Sequence, residues 1–137
     1  MLIDLENLNP GTWFDMTDEV KVCLRVCDTE AMRKIRLKTT TKKNEFKKID
    51  GKHERFTWEE SDDEMQMDMI YDYCIVDWEG IIDKKTGLGV PCNSENKKLL
   101  MGKHLQFAKF ISDSLDLLRR QIEGEASQEQ EEPEKNC

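Results

Sequence analysis

Histidine is all but missing from this chain: His53 and His104 are the only imidazoles in 137 residues. A histidine-dependent catalytic site would have to draw on one of these two. Neither sits beside a nucleophile in a recognisable motif. The five cysteines are scattered (Cys23, Cys27, Cys74, Cys92, Cys137), and no second close pair or nearby histidine joins Cys23 and Cys27 to complete a zinc set. They read as reduced thiols, either small core residues or surface groups. No run of 18 apolar residues occurs, which excludes a membrane-spanning helix. The opening MLIDLENLNPG has no basic region of the kind that starts a signal peptide, so an intracellular protein is expected.

Motifs for common chemistries are missing too. There is no Gly-x-Ser-x-Gly elbow. The acids of 59–79 lack the alternating ligands and sharp glycine turn of a calcium loop. Lys84-Lys85-Thr86-Gly87 lacks the first glycine and the Gly-Lys-Ser/Thr order of a phosphate loop. The reading is of a protein that is not an enzyme and uses no cofactor or metal.

What the chain does have is charge, and it is segregated. From Ala31 to Arg55 ten Lys/Arg face three acids, whereas from Glu59 to Glu79 there are nine acids and no base. The last fourteen residues hold five glutamates and one lysine, a net −4 of the total −8. The preceding 123 residues are therefore only mildly acidic, and overall charge is a poor guide to partners. With no large apolar anchor, residues 124–137 are expected to form a disordered acidic tail. The remainder reads as one α+β domain over 1–123, with 38–58 as a polar, basic loop or arm.

Local patterns supply the elements. Thr12 to Met16 is an aromatic strand, and Val20 to Val26 alternates, with Val20, Val22, Leu24 and Val26 on one face and Lys21, Cys23 and Arg25 on the other. Thr17-Asp18-Glu19 suits a hairpin loop. Asp28 or Thr29 can cap a short helix. The stretch after it, with Asp50-Gly51 as a turn signal, is either a hairpin or an arm awaiting a partner. Ser61 opens a helix with Asp62, Asp63 and Glu64 in its first turn and a buried stripe of Met65, Met69, Ile70, Tyr73 and Cys74. A helix from about Glu95 to Met101, capped by Asn93 or Ser94, closes at Gly102. His104 to Ile122 is the longest helix, striped by Leu105, Ala108, Ile111, Leu115, Leu118 and Ile122 and widened by Phe107, Phe110 and Leu117. Small N-terminal antiparallel strands packed with three to five helices follow, the C-terminal helix being longest.

The block VDWEGIIDKKTGLGVPCNSENKKLL, Val76 to Leu100, combines a short strand with Trp78, a glycine turn, a Val-Pro step and a helix start. In this order of parts it resembles the tail assembly chaperones of long-tailed phages and prophages. The aromatic strand at Thr12–Met16 and the Leu24–Val26 strand end are similar as well. The insert from Lys38 to Glu59 and the acidic tail have no counterpart in that pattern.

The resemblance implies a non-enzymatic protein of the host bacterial cytoplasm, absent from the mature virion. It would bind the tape measure protein, keep it soluble, contact tail tube subunits and self-associate. The partner surface expected from it comprises Trp78, Ile81, Phe107, Phe110 and Leu117, each with a core role as the alternative and Trp78 favouring that role, and with Met67 as an adaptable contact. The alternative is an intracellular adaptor or regulator whose basic arm (Lys42, Lys43, Lys47, Lys48) touches nucleic acid or an acidic protein. The missing groove-reading helix and the acidic neighbour at 59–79 argue against nucleic acid, and the basic arm then complements acidic surface of this chain or a neighbouring subunit.

Overall fold

The computed structural model describes the backbone of residues 1–135 and the side chains of residues 1–124. Its elements are β1 (Thr12–Asp15), β2 (Lys21–Leu24), α1 (Thr29–Thr39), β3 (Thr40–Ile49), β4 (Lys52–Ser61), α2 (Asp63–Cys74), β5 (Ile75–Glu79), α3 (Ser94–Lys103) and α4 (Leu105–Lys135). The fold is α+β and α4 is the longest helix. The expected disordered tail falls on residues whose side chains lie outside those described. The stretch that reads as one domain divides into two compact units, Met1–Val26 with Asp72–Cys137, and Cys27–Tyr71.

The first unit is built on the antiparallel sheet β1-β2-β5. The loop between β1 and β2 closes through Thr17, whose Oγ1 accepts from the N–H groups of Glu19 and Val20 at 3.2 and 3.0 Å. Val22 and Leu24 are fully buried, as the alternation expects, but Cys23 is buried too. A central strand is covered on both faces, and here Pro10 and Gly11 cross the second one. Cys23 Sγ lies 4.0 Å from Pro10 O, and a side chain on Gly11 would meet it at 2.7 Å.

The stripe of α4 seals the other face. Phe107, Ile111, Ser114 and Leu115 are buried at offsets of four, seven and eight residues. Each large apolar side chain so removed from water contributes about 1.5–3 kcal/mol. The buried stripe is shorter than the sequence pattern: Leu105 is 84% exposed, and Leu117 and Ile122 are 49% and 53% exposed. His104 separates α3 from α4. Its N–H donates to Leu100 O at 2.9 Å, and its Nδ1 accepts from Phe107 N at 3.1 Å. Thus α3 runs through Gly102, and the helix stop expected there belongs to His104.

In the second unit Asp28 caps α1, its Oδ1 accepting from Ala31 N at 2.9 Å. The stretch 38–58, left open between a hairpin and an arm, forms most of a ladder of ten antiparallel pairs from Thr40–Ser61 to Ile49–Lys52. Asp50 (φ 51°) and Gly51 (φ 79°) are both left-handed, the geometry that matches strand twist in a two-residue hairpin turn. Asp62 N donates to Thr39 O at 2.8 Å and anchors the hairpin base. The cap of α2 is Asp62 rather than Ser61, since its Oδ1 accepts from Met65 N at 3.0 Å.

The buried stripe expected on α2 is corrected. Met65 is exposed, as is Met67, and of the five expected residues only Cys74 is buried. The methionines and tyrosines recur every second residue, a spacing that scatters them around a helix instead of stacking them on one face.

Candidate functional site

The block at Val76–Leu100 folds as a strand, a hydrogen-bonded loop and a helix start, all pinned by Trp78. This indole is 6% exposed and its Nε1 donates to Val90 O at 2.7 Å. At the end of β5 the chain passes against the backbone of Glu19. Gly80 (φ 86°) permits this, because a Cβ there would collide with Glu19 O. The loop beyond is tied by Val90 N to Ile81 O and Asp83 N to Leu88 O, both 2.8 Å. Asp83 Oδ1 also accepts from Lys85 N at 2.8 Å, so the Lys-Lys-Thr-Gly segment is a closed turn. Asn93 then caps α3 by accepting from Asn96 N at 2.8 Å. Asp72, at the end of α2, receives Ser94 Oγ at 2.7 Å and Lys97 Nζ at 3.3 Å.

Burial pushes the Cys23 and Cys92 thiols up, with nearby carboxylates acting in the same direction.

The structure places the expected partner residues unevenly. Trp78 and Phe107 meet, but as core: Phe107 is 2% exposed and the two rings are packed on each other. Ile81 and Phe110 are half-buried, Leu117 is exposed, and Met67 is exposed in the other unit. Trp78 is core, the alternative the sequence favours for it, and Phe107 is corrected from a partner contact to a core residue, since a side chain that fills the sheet–helix core offers no surface.

What sequence reasoning missed is a groove of about 360 Å³ in the first unit. Its lining is mixed: Pro10, Val26, Leu118 and Ile122 supply the apolar part, and Asn9, Arg25 and Gln121 are among the residues that supply a polar part of similar extent. One wall is firmly held. Asn9 Nδ2 donates to Val26 O at 2.9 Å, and Arg25 Nε donates to Tyr73 O at 2.9 Å while its guanidinium stacks 3.8 Å from the Tyr73 ring centre. The signal was present in the sequence: the apolar stripe of α4 continues past the stretch that the sheet buries.

The basic arm does not form one patch. Strand alternation puts Lys42 and Lys48 on one face with Phe46 and Arg55, and Lys43 and Lys47 on the other with Phe56 and Trp58. Lys43 Nζ is 2.8 Å from Glu60, which also accepts from Trp58 Nε1 at 3.1 Å. These two hydrogen bonds hold the Glu60 carboxyl below its usual value. Lys47 Nζ is 4.0 Å from Glu45 and sits over the Phe56 ring. At the hairpin base a wider cleft of about 930 Å³ is lined by Met32, Arg33, Arg36, Leu37, Lys42 and Glu59, among others.

Among the described residues no cluster of His, Cys, Asp and Glu is arranged to hold a metal ion, and no helix is long and apolar enough to cross a membrane. No family model, curated protein or solved structure matches the chain.

Proposed function

We propose that this protein is a non-enzymatic tail assembly chaperone of a long-tailed phage or prophage, which binds the tape measure protein and keeps it soluble before the tail tube forms. The observation that carries the reading is the groove beside α4, an open trough of mixed lining in which Leu118 and Ile122 join Pro10 and Val26 as the apolar contacts, with Asn9, Arg25 and Gln121 as polar ones. Such a trough suits one apolar stripe of a helical client. The resemblance of the Val76–Leu100 block supplies the identity of that client. A single site of this size binds weakly, so function would rest on many copies aligned along one long client, each adding avidity without new contacts.

Co-expression with a tape-measure fragment tests the reading directly. The fragment should stay in the soluble fraction and co-elute with this protein on sizing. The double variant Leu118→Glu, Ile122→Glu should lose the client while keeping its fold. A client that precipitates equally with and without the wild-type protein sinks the proposal. A gene neighbourhood lacking a major tail protein gene and a very long helical-repeat gene would count equally against it.

A further inference from the structure

The β3–β4 hairpin is a two-stranded sheet with no further strand along either edge among the described residues. Every residue from Thr41 to Ser61 is exposed, including Phe46, Ile49, Phe56 and Trp58. An isolated two-stranded ladder is marginal in water, and an unpaired edge is a template for another chain. The two edges differ in charge order. Along β3, Lys42 and Lys43 stand near one end and Lys47 and Lys48 near the other, so an antiparallel copy would set lysine on lysine. Along β4 the order is polar: Lys52, His53 and Arg55 come first, then Glu59 and Glu60, followed by Asp62, Asp63 and Glu64.

We propose that β4 pairs antiparallel with β4 of a second copy about a two-fold axis at Phe56, giving a continuous four-stranded sheet. In this register Lys52 lies opposite Glu60 of the second copy, His53 opposite Glu59, Glu54 opposite Trp58, and Arg55 opposite Thr57. No like charges stand opposite each other. Shifting the axis to Thr57 would place Glu54 against Glu60, an unfavourable pair.

The backbone permits the same register. A two-residue turn closes on a hydrogen-bonded pair, here Ile49 and Lys52, so alternation leaves His53, Arg55, Thr57 and Glu59 with N–H and C=O directed outward. The register joins these outward residues to one another, 53 with 59 and 55 with 57, and leaves Phe56 in the close, non-bonded pair on the axis. Opposed phenyl rings at the axis, with charged pairs toward both ends, give an interface that is apolar at its centre and polar at its rim. Being isologous, it closes at two copies and does not propagate into a fibre. The inference is independent of the client proposed above, because it uses only the second unit.

Sedimentation velocity across a concentration series, with reductant present, tests it. The wild type should show a monomer–dimer equilibrium that weakens as salt is raised. Lys52→Glu, His53→Glu makes both ends of β4 acidic, and Glu59→Lys, Glu60→Lys makes both ends basic. Each variant alone should be monomeric, with its dissociation constant raised by about tenfold or more. Mixed in equal amounts they should recover a one-to-one complex, since each basic end then meets an acidic one. Thr57→Pro removes an outward N–H without touching the β3 ladder, and should also abolish the dimer. Unchanged circular dichroism would confirm that these surface variants fold. A wild type that stays monomeric at low salt, a mixture that fails to recover, or a Thr57→Pro protein that still dimerises would overturn the proposal. So would a monomer that takes up duplex DNA on the hairpin instead.

Discussion

The indole of Trp78 stands edge-on to the ring of Phe107, with centroids 5.8 Å apart and planes at 90°. This pair joins β5 to the first turn of α4, and the indole N–H reaches on to Val90 O. One residue thereby couples the sheet, the long helix and the loop that follows Gly80.

Trp78→Phe keeps most of the ring packing but leaves Val90 O without its donor. It should lower stability by about 1–3 kcal/mol, the desolvation penalty of a stranded polar group. Trp78→Ala should lower it by about 3–5 kcal/mol through loss of buried ring and the cavity left behind. Urea unfolding followed by circular dichroism measures both.

Gly80 and Gly87 are both left-handed, at φ 86° and 69°, but only Gly80 faces backbone. At Gly87 nothing lies within 4 Å of an added Cβ, so Gly87→Ala should lose only the conformational term, about 1–2 kcal/mol. Gly80→Ala adds a collision with Glu19 O and should lose clearly more, separating β5 from the turn before β2. Thermal melts of the two variants side by side give the comparison.

Asp72 holds Lys97, whose side chain is only 12% exposed, and Ser94 in the first turn of α3. Asp72→Ala leaves that ammonium without its carboxylate and should lower stability by about 1.5–3 kcal/mol. Asp72→Asn keeps an acceptor and should lose less. Denaturant midpoints of the two variants distinguish the charge from the hydrogen bond.

Cys92 gives a pH dependence with a definite sign. Burial, aided by Asp77 and Asp72 and opposed by Lys97, raises its thiol above the ordinary value of 9.0. The folded protein therefore keeps this proton to higher pH than the unfolded chain does. The associated stability is fully present below 9.0 and is lost as pH rises through the folded value. Cys92→Ala should flatten the alkaline limb of the stability curve without removing the share that belongs to Cys23.

Much of this fold is legible locally. The β2 alternation, the Asp28 and Asn93 caps and the Asp50-Gly51 turn each follow from side chains within four residues of the position they explain. Burial followed that pattern less well. The apolar spacing of α4 runs from Leu105 to Ile122, yet only the portion opposite β2 and β5 is covered, and the remainder forms one wall of the groove. The basic run at Lys42–Lys48 reads as a single patch in sequence and is two faces in space, because the segment became a strand.

The sequence by itself determined where the chain turns, caps and alternates. Tertiary structure alone decided which aromatics are core and which apolar residues stay outside. The reason is physical: caps, turns and periodicity are settled by atoms a few residues apart. Burial of Trp78 or exposure of Ile122 depends on what a distant segment brings to that face, and no local pattern encodes the partner.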